Sequence, residues 1–251
     1  MAHTVVQEAE EILDKEYKVL NHGFVRLVDY MGGDARIVQS ARVSYGAGTK
    51  TVRDDTRLIN YLMRNDHSSP FEQVIFTFHI KMPIFVARQW VRHRTARMNE
   101  ISGRYSVMTD ECYLPERMPL QRTDNKQGSS EESLPEDLSR EYLNLMEEDQ
   151  KKVYEHYQAM IEKGVSREIA RINLPLSLYT EVYWQMDLRN LFHFLKLRLD
   201  DHAQYEIRCY AEVIAEMVKK VAPIAWSAFE EYVLYAKTFS KSELEEMGEM
   251  S

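Results

Sequence analysis

The sequence is short of cysteine and glycine, which removes several common ways of building a site. Its 251 residues include 2 cysteines and 9 glycines. Cys112 and Cys209 cannot form a disulfide framework and do not stand in a C-x-x-C metal pair. No G-x-G-x-x-G follows a predicted strand, and no G-x-x-x-x-G-K-[ST] occurs. The two commonest nucleotide cradles are therefore missing, and a bound nucleotide must be held differently.

Long apolar runs and an excess of positive charge are also missing. No run is long enough to span a bilayer, and the N-terminal stretch carries acids where a signal peptide has an apolar core. The formal net charge of -8 argues against a surface adapted to nucleic acid or to an anionic membrane. We therefore expect a soluble, cytoplasmic protein with no nucleic-acid or membrane partner.

Metal and thiol chemistry find no support in the residue spacing. Asp200, Asp201, His202 and Glu206 are close in sequence, but they match no familiar ligand set, so we predict no metal. Cys112 directly follows two acids, which would raise the pKa of its thiol. Neither cysteine is therefore expected to act as a nucleophile.

The apolar pattern predicts an α+β fold, a helix-rich single domain with a small antiparallel sheet and a long helical core. One strand is indicated by VIFTFHIKM, where Val74, Phe76, Phe78, Ile80 and Met82 alternate with polar residues and share a face. Helices and strands do not alternate strictly along the chain, which favours α+β over a doubly wound sheet. The predicted divisions are an N-terminal helical extension at 1–21, the domain at 22–239 and an acidic tail at 240–251.

Caps and breakers predict where the other elements begin and end. Asp34 is expected to cap a helix that stops at Gly46, and Ser133 with Glu136 forms a capping box before a long helix that Gly164 ends. Residues 121–133 are expected to form an exposed loop. Further predictions are a strand at 24–30 and helices at 54–65, at 84–94 after Pro83, at 166–174, at 188–199 with Asp187 as cap, and at 204–239 with a break at Pro223.

Positive charge is concentrated in one short stretch of this acidic chain. Five arginines and one histidine stand between positions 88 and 104 against a single acid, Glu100. On a helix, Gln89, Arg92 and His93 would share a face. Ser-Gly-Arg at 102–104 offers backbone N–H groups, a hydroxyl and a guanidinium, which together suit a phosphate. The alternative is a solvated arginine face paired with acids elsewhere.

A second set of cations lies towards the C-terminus. Arg189, His193 and Lys196 form a polar stripe on a predicted helix, and Arg198 follows at its end. Arg171 is an isolated cation beside apolar residues. Each of these alone is more often a surface residue than a ligand contact. Together they indicate a binding surface assembled from distant segments.

Several motifs resemble those of the flavin-dependent thymidylate synthases. Arg-His-Arg at 92–94, seven residues and then Ser102 reproduce the signature of that family, and N-E-x-S-x-R-Y at 99–105 extends it. The resemblance to the family extends over residues 22 to about 236. It includes the segments ARVSYG at 41–46, SPFE at 69–72, FVARQW at 85–90, LPLSLYT at 174–180, NLFHFLKLR at 190–198 and DHAQYEIR at 201–208.

The resemblance implies a homotetramer that holds FAD between subunits and converts deoxyuridine monophosphate (dUMP) to thymidylate. Methylenetetrahydrofolate would supply the carbon, and NADPH would reload the flavin. The implied dUMP contacts are Gln89, Trp90, Val91, Arg92, Glu100, Ile101, Ser102, Gly103, Arg104, Arg171 and Arg198. The implied FAD contacts are Ser44, Ser69, Glu72, Arg92, His93, Arg94, Glu100, Asp187, Arg189, His193 and His202.

Arg198 matches the family's catalytic residue, which polarises the uracil ring. An arginine stays protonated at working pH, so it cannot be a general base, but it can stabilise negative charge on the uracil carbonyl and ring nitrogen. The other class of thymidylate synthase activates uracil with a cysteine in a Pro-Cys context, which is absent from this chain.

The sequence departs from the family pattern at four positions. Arg97 and Met98 replace small residues, and Gln73 stands where a histidine often follows SPFE. Asp187 stands where an amide commonly meets the flavin, so it places an acid near an anionic cofactor. Two rival functions remain open at this point: a nucleic-acid-binding module that stacks a strand on Trp90 and Tyr105, and a flavin reductase without methyl transfer.

Overall fold

The computed structural model describes residues 5–45, 52–123 and 128–248. One antiparallel sheet has five strands in the order β1-β2-β3-β7-β4, and a hairpin of β5 and β6 forms a second sheet. The strands are β1 Glu16–Val19, β2 Gly23–Met31, β3 Ile75–Pro83, β4 Arg97–Glu100, β5 Pro119–Gln121, β6 Ser129–Ser133 and β7 Tyr179–Asp187. The predicted α+β class is confirmed.

Helices cover one face of the larger sheet. They are α1 Gln7–Glu10, α2 Asp34–Ala41, α3 Val52–Arg64, α4 Ile84–Trp90, α5 Glu136–Glu162, α6 Arg167–Ala170, α7 Leu188–Arg198, α8 Tyr205–Val221, α9 Pro223–Phe229 and α10 Lys241–Glu246. None of the helices in the described ranges is long and apolar enough to cross a membrane.

The central strand β3 confirms the predicted alternation. Val74, Phe76, Phe78, Ile80 and Met82 are all fully buried, because they face the helices, while the residues between them are half-buried on the other face. Burying a large apolar side chain contributes about 2 kcal/mol, so this row of residues specifies the register of the sheet.

The helix predicted for residues 1–21 is wrong. Among residues 5–21, which the structure describes, only the turn Gln7–Glu10 is helical, and Glu16–Val19 forms an edge strand that pairs with β2. Ala9 and Ile12 pack into the main core. The hairpin of β1 and β2 therefore crosses the boundary predicted at residue 22.

Asp34 caps a different helix from the one predicted. Gly33 stands at the N-cap of α2, and the Asp34 carboxylate accepts hydrogen bonds from the backbone N–H groups of Ile224 at 2.8 Å and Ala225 at 2.9 Å. These groups open α9, so Asp34 satisfies the first turn of a helix near the other end of the chain. Burial raises the pKa of Asp34, and the two hydrogen bonds oppose that rise. The predicted stop at Gly46 lies outside the described residues.

The predicted capping box of the long helix is also wrong. Ser133 belongs to β6, and Pro135 precedes α5 without a side-chain cap. Residues 121–133 are therefore not simply a loop, since part of them forms the β5–β6 hairpin. The stop at Gly164 is confirmed, because this glycine adopts φ +82° beyond the last turn.

Two further helix ends differ from prediction. The helix expected at 84–94 ends at Trp90, and residues 91–93 continue as single turns. The acidic tail contains α10, whose N-terminus has a capping box formed by Ser240 and Glu243. The predicted break at Pro223 is confirmed. The helical segment after this break ends at Leu234 rather than at residue 239.

Candidate active site

Trp90 fixes the end of α4 against the sheet and α7. Its ring is fully buried, with ring centroids 5.2 Å from Trp184 and 4.7 Å from Phe194. This packing places the turn that follows Trp90 beside the C-terminal end of α7. Only the backbone of Trp90 is available to a ligand, so the side chain cannot stack on a nucleic-acid strand.

Arg198 is held by the turn that follows α4. Its Nε donates to Nε2 of His93 at 3.1 Å, and its Nη2 donates to the carbonyl oxygen of Gln89 at 3.5 Å. A guanidinium only donates, so Nε2 of His93 must be an acceptor and the proton of the neutral ring lies on Nδ1. Burial lowers the pKa of Arg198, but an arginine remains protonated in a protein. We call Gln89, His93 and Arg198 the Arg198 cluster.

His93 is kept neutral by its surroundings. Burial lowers its pKa from 6.5 to about 4, and Coulombic interactions with Arg198 and His193 act in the same direction. Its ring packs edge-on against Phe194 with centroids 4.8 Å apart, and the ring of His193 lies 6.2 Å away. The ring is therefore a fixed hydrogen-bond acceptor for Arg198 at neutral pH.

Gln89 has a second partner that sequence reasoning missed. Its side-chain amide donates to the side-chain oxygen of Gln204, the residue before α8. Gln204 lies in the DHAQYEIR segment, and its position in sequence gives no sign of this contact. The bond ties the Arg198 cluster to the turn between α7 and α8.

Residues 102–104 form a tight turn that rests on Arg171. The N–H of Arg104 donates to the Ser102 hydroxyl at 3.3 Å, and the N–H of Tyr105 donates to the Ser102 carbonyl at 3.0 Å. A Cβ on Gly103 would lie 3.1 Å from Cδ of Arg171, so glycine permits this close approach. We call Ser102, Gly103, Arg104 and Arg171 the Ser102 cluster.

The two arginines of the Ser102 cluster are exposed, whereas Arg198 is half-buried. Arg104 pairs with Glu168 at 3.3 Å through side chains that are both more than half exposed. An open cavity of about 460 Å³ lies beside the turn and is lined in part by Arg104, Tyr105 and Arg167. The pairing of Glu168 with Arg104 was not predicted from the sequence, because an acid in the first turn of a helix is common. The arrangement suits a soluble anion that exchanges with solvent.

Glu100 ends the edge strand β4 and points towards a buried hydroxyl. Thr180 donates to Oε1 of Glu100 at 2.6 Å, and Glu100 is opposite Val182 in the β4–β7 ladder. Thr180 is the last residue of the LPLSLYT segment but was not predicted to belong to the site.

The residues expected around a flavin lie mainly on exposed turns and on the outer face of α7. Arg189 lies 3.7 Å from Glu72, while His202 bonds Asp200 at 2.8 Å through Nδ1. Arg92, Arg94, His193 and Ser69 are exposed, and so is the predicted stripe of Arg189, His193 and Lys196 on α7. The backbone of Ser44 lies in the turn Arg42–Tyr45, next to undescribed residues.

Asp187 is a helix cap, as its position before α7 predicted. Its two oxygens accept from the N–H of Asn190 at 2.9 Å and from the side-chain amide of Asn190 at 2.7 Å. The carboxylate is therefore occupied by the first turn of its own helix. An acid stands at position 187 where the family commonly has an amide. The bonds to Asn190 give this acid a structural role as a helix cap.

The two cysteines and the acidic segment at 200–206 lie outside both clusters. Burial is the main cause that raises the pKa of both Cys112 and Cys209, and both thiols are free. No group of three or more potential metal ligands occurs in the described parts of the chain. The expectation that neither thiol is activated agrees with these positions.

Comparison with known proteins finds one consistent family. The family model of thymidylate synthase complementing protein matches residues 26–224. The chain is 61% identical over 235 residues to the flavin-dependent thymidylate synthase of Treponema denticola, covering 93% of this chain and 88% of the relative. It is 60% identical over 226 residues to that of Thermus thermophilus, covering 90% and 82%.

A solved structure agrees with the same assignment. A UMP/dUMP methylase, PolB from Streptomyces cacaoi, bound with 5-Br dUMP, superposes with a TM-score of 0.78 at 32% identity. The match covers 86% of this chain and 98% of the other. The family match at residues 26–224 contains the residues of both clusters.

Proposed function

The chain belongs to the thymidylate synthase complementing protein family, and on that premise we propose that it is a flavin-dependent thymidylate synthase. In this proposal it carries out the reductive methylation of dUMP to thymidine monophosphate. Methylenetetrahydrofolate is the carbon donor, and NADPH is the source of the hydride that passes through the flavin. The names of the relatives support the flavin and the thymidylate product, and the methylase neighbour supports the nucleotide substrate.

The observation that carries the proposal is the fixed guanidinium of Arg198. His93 engages its Nε, and the Gln89 carbonyl engages one N–H of its Nη2, so both N–H groups of Nη1 and the second N–H of Nη2 are left for a ligand among the contacts of the described residues. A half-buried guanidinium held in this way is preorganised to stabilise negative charge on an oxygen or ring nitrogen. We assign that charge to uracil as its five-position carbon attacks the one-carbon unit.

In the proposal, the Ser102 cluster holds the nucleotide phosphate. The turn at 102–104 presents backbone N–H groups, and the guanidinium groups of Arg104 and Arg171 supply the charge. Gln89, Arg92 and Glu100 contact the sugar or the base. Trp90, Val91 and Ile101 complete the proposed dUMP set; Trp90 contributes only its backbone, because its ring lies in the core.

The donor set around α7 fits an anionic dinucleotide such as FAD. Arg92, Arg94, Arg189 and His193 are exposed cationic or hydrogen-bonding groups, which suit a pyrophosphate. Ser44, Ser69, Glu72, His93, Glu100, Asp187 and His202 complete the proposed FAD contacts. Asp187 can contribute only alongside its bonds to Asn190. When bound, the flavin supplies the hydride that completes the methyl group.

We propose that the enzyme is a cytoplasmic homotetramer whose sites are shared between subunits. The two clusters of one chain are built on different elements: the Arg198 cluster on α4 and α7, and the Ser102 cluster on the loops after β4 and α6. Residues of neighbouring copies would bring the two halves onto one ligand. Exposed apolar residues beside Arg171, namely Ile169 and Ile172, support a covered surface there.

The visible absorption spectrum of the purified protein, with and without dUMP, tests the proposal. A synthase shows a flavin band that dUMP perturbs, and it forms thymidylate when folate and NADPH are added. A flavin reductase would be yellow but insensitive to dUMP. A colourless protein that binds single-stranded nucleic acid with a steep salt dependence would refute the proposal.

A further inference from the structure

Thr180 has a hydroxyl where the core would accept an apolar side chain. In β7 the neighbours on the same face are Val182, Trp184 and Met186, all at most 2% exposed, and Thr180 itself is 3% exposed. Tyrosine and tryptophan aside, it is the only buried polar residue in the described ranges. Because a buried hydroxyl is costly unless it is hydrogen-bonded, its partner explains its presence.

That partner is the carboxylate of Glu100. The donor–acceptor distance of 2.6 Å lies in the range of a hydroxyl donating to a charged oxygen. The Thr180 hydroxyl donates and Oε1 of Glu100 accepts, as expected for a carboxylate. No other side-chain hydrogen bond or ion pair to Glu100 occurs within the described part of the chain.

The backbone on either side of Glu100 is already held by the sheet. Glu100 pairs with Val182, and the N–H of Ile101 donates to the carbonyl of Glu181 at 2.9 Å. The strand therefore does not need the Thr180 bond to stay in register. The exposed glutamate side chain does need it, because without a partner its three torsions sample several rotamers.

We propose that Thr180 is a positioning residue that aims the Glu100 carboxylate at the nucleotide. Thr180 takes Oε1, so Oε2 is left to accept from an N–H or O–H group of the ligand. The inference rests on the proposed function, in which Glu100 contacts dUMP. It adds a buried residue behind the site that touches neither nucleotide nor flavin and sets the direction of a group that does.

Matched substitutions of Thr180 test the role in the flavin-loaded enzyme. Thr180→Val keeps the shape and removes the hydroxyl, while Thr180→Ser keeps the hydroxyl. We expect Thr180→Val to weaken dUMP binding about tenfold by calorimetric titration, and Thr180→Ser to weaken it less than about threefold. The melting temperature of Thr180→Val should not fall, since valine packs well in this row. Equal dUMP affinity in Thr180→Val and the wild type would overturn the proposal.

A double-mutant cycle with Glu100→Gln separates positioning from general packing. If Thr180 acts through Glu100, Thr180→Val has a much smaller effect on dUMP affinity when Glu100 is already replaced. An undiminished effect in the Glu100→Gln background would contradict the role.

Crystal structures of the wild type and of Thr180→Val test whether Thr180 positions Glu100, even if dUMP is not the ligand. The inference requires the Glu100 carboxylate to move or become disordered in the valine variant while β4 keeps its pairing with β7. A carboxylate that stays in place would refute the positioning role. Failure of wild-type protein to bind dUMP, by contrast, would refute the proposed function and leave this structural test standing.

Discussion

The two halves of the candidate site are built in opposite ways. The Arg198 cluster is anchored on a fully buried tryptophan and contains a histidine kept neutral by burial. The Ser102 cluster is a turn in contact with solvent, and its arginine forms an exposed ion pair. A charge that must act at one position on a ring needs a rigid support, whereas a phosphate can be captured by mobile charge and backbone N–H groups. The contrast predicts different sensitivities to mutation in the two halves.

Arg198→Ala should have the largest effect. We expect the rate of thymidylate formation to fall about a thousandfold or more, because the group proposed to stabilise charge on the uracil ring is lost. Flavin content, measured from the absorption band, should stay near that of the wild type. Arg198→Lys is the matched control, since it keeps the charge but loses the fork, and it should recover only part of the rate. Full turnover by Arg198→Ala would refute the role of this residue.

Gly103→Ala should weaken nucleotide binding by about tenfold. Its Cβ would lie 3.0 Å from Sδ of Met108 and 3.1 Å from Cδ of Arg171, so the turn or Arg171 must shift. Titration with dUMP measures the change. Ser106→Ala, on an exposed residue of the same turn, is the control and should change affinity less than about twofold. Unchanged affinity in Gly103→Ala would show that the close approach is not needed.

His93 should titrate with a pKa of about 4 in the folded protein, as followed by NMR of the ring. Replacing Arg198 by glutamine removes a positive neighbour and should raise this pKa towards 6.5. The unfolded chain binds the proton more readily, so the contribution of His93 to the free energy of unfolding falls as pH drops from 6.5 to about 4. A pKa near 6.5 in the wild type would contradict the buried, neutral ring.

Glu168→Gln should have the smallest effect. Its pair with Arg104 is exposed on both sides, so the free energy of unfolding should change by less than about 1 kcal/mol, and the difference should shrink as salt is added. Thermal unfolding at two ionic strengths measures this. A larger change that is insensitive to salt would mean that the Ser102 cluster is as rigid as the Arg198 cluster.

Sequence predicted the parts of the fold that depend on neighbouring residues. The alternation in β3 and the Asp187 cap of α7 are local patterns with a fixed period or spacing, and both are confirmed. Asp34 was assigned to the wrong helix, because its true partners are 190 and 191 residues away. Ser133 fitted the capping pattern, but it pairs in the β5–β6 hairpin and does not cap α5.

The candidate site shows the same limit. The motifs around residues 92–104 pointed to the cations and the Ser-Gly-Arg turn, because residue type and spacing carry that information. Thr180 and Gln204 were missed, since their partners lie 80 and 115 residues away in sequence. The end of α4 at Trp90 was also missed, because the helical period of the next residues continues past the point where tertiary packing ends the helix.

The bond between Asp34 and α9 has a consequence for how the chain is made. During synthesis on the ribosome, Asp34 at the start of α2 emerges long before residues 224 and 225, so its carboxylate lacks these two partners until almost the whole polypeptide has been made. The core that supports the site is therefore completed late, by non-local contacts of the kind that slow folding. A nascent chain that stalls before α9 would leave this acid without its backbone partners.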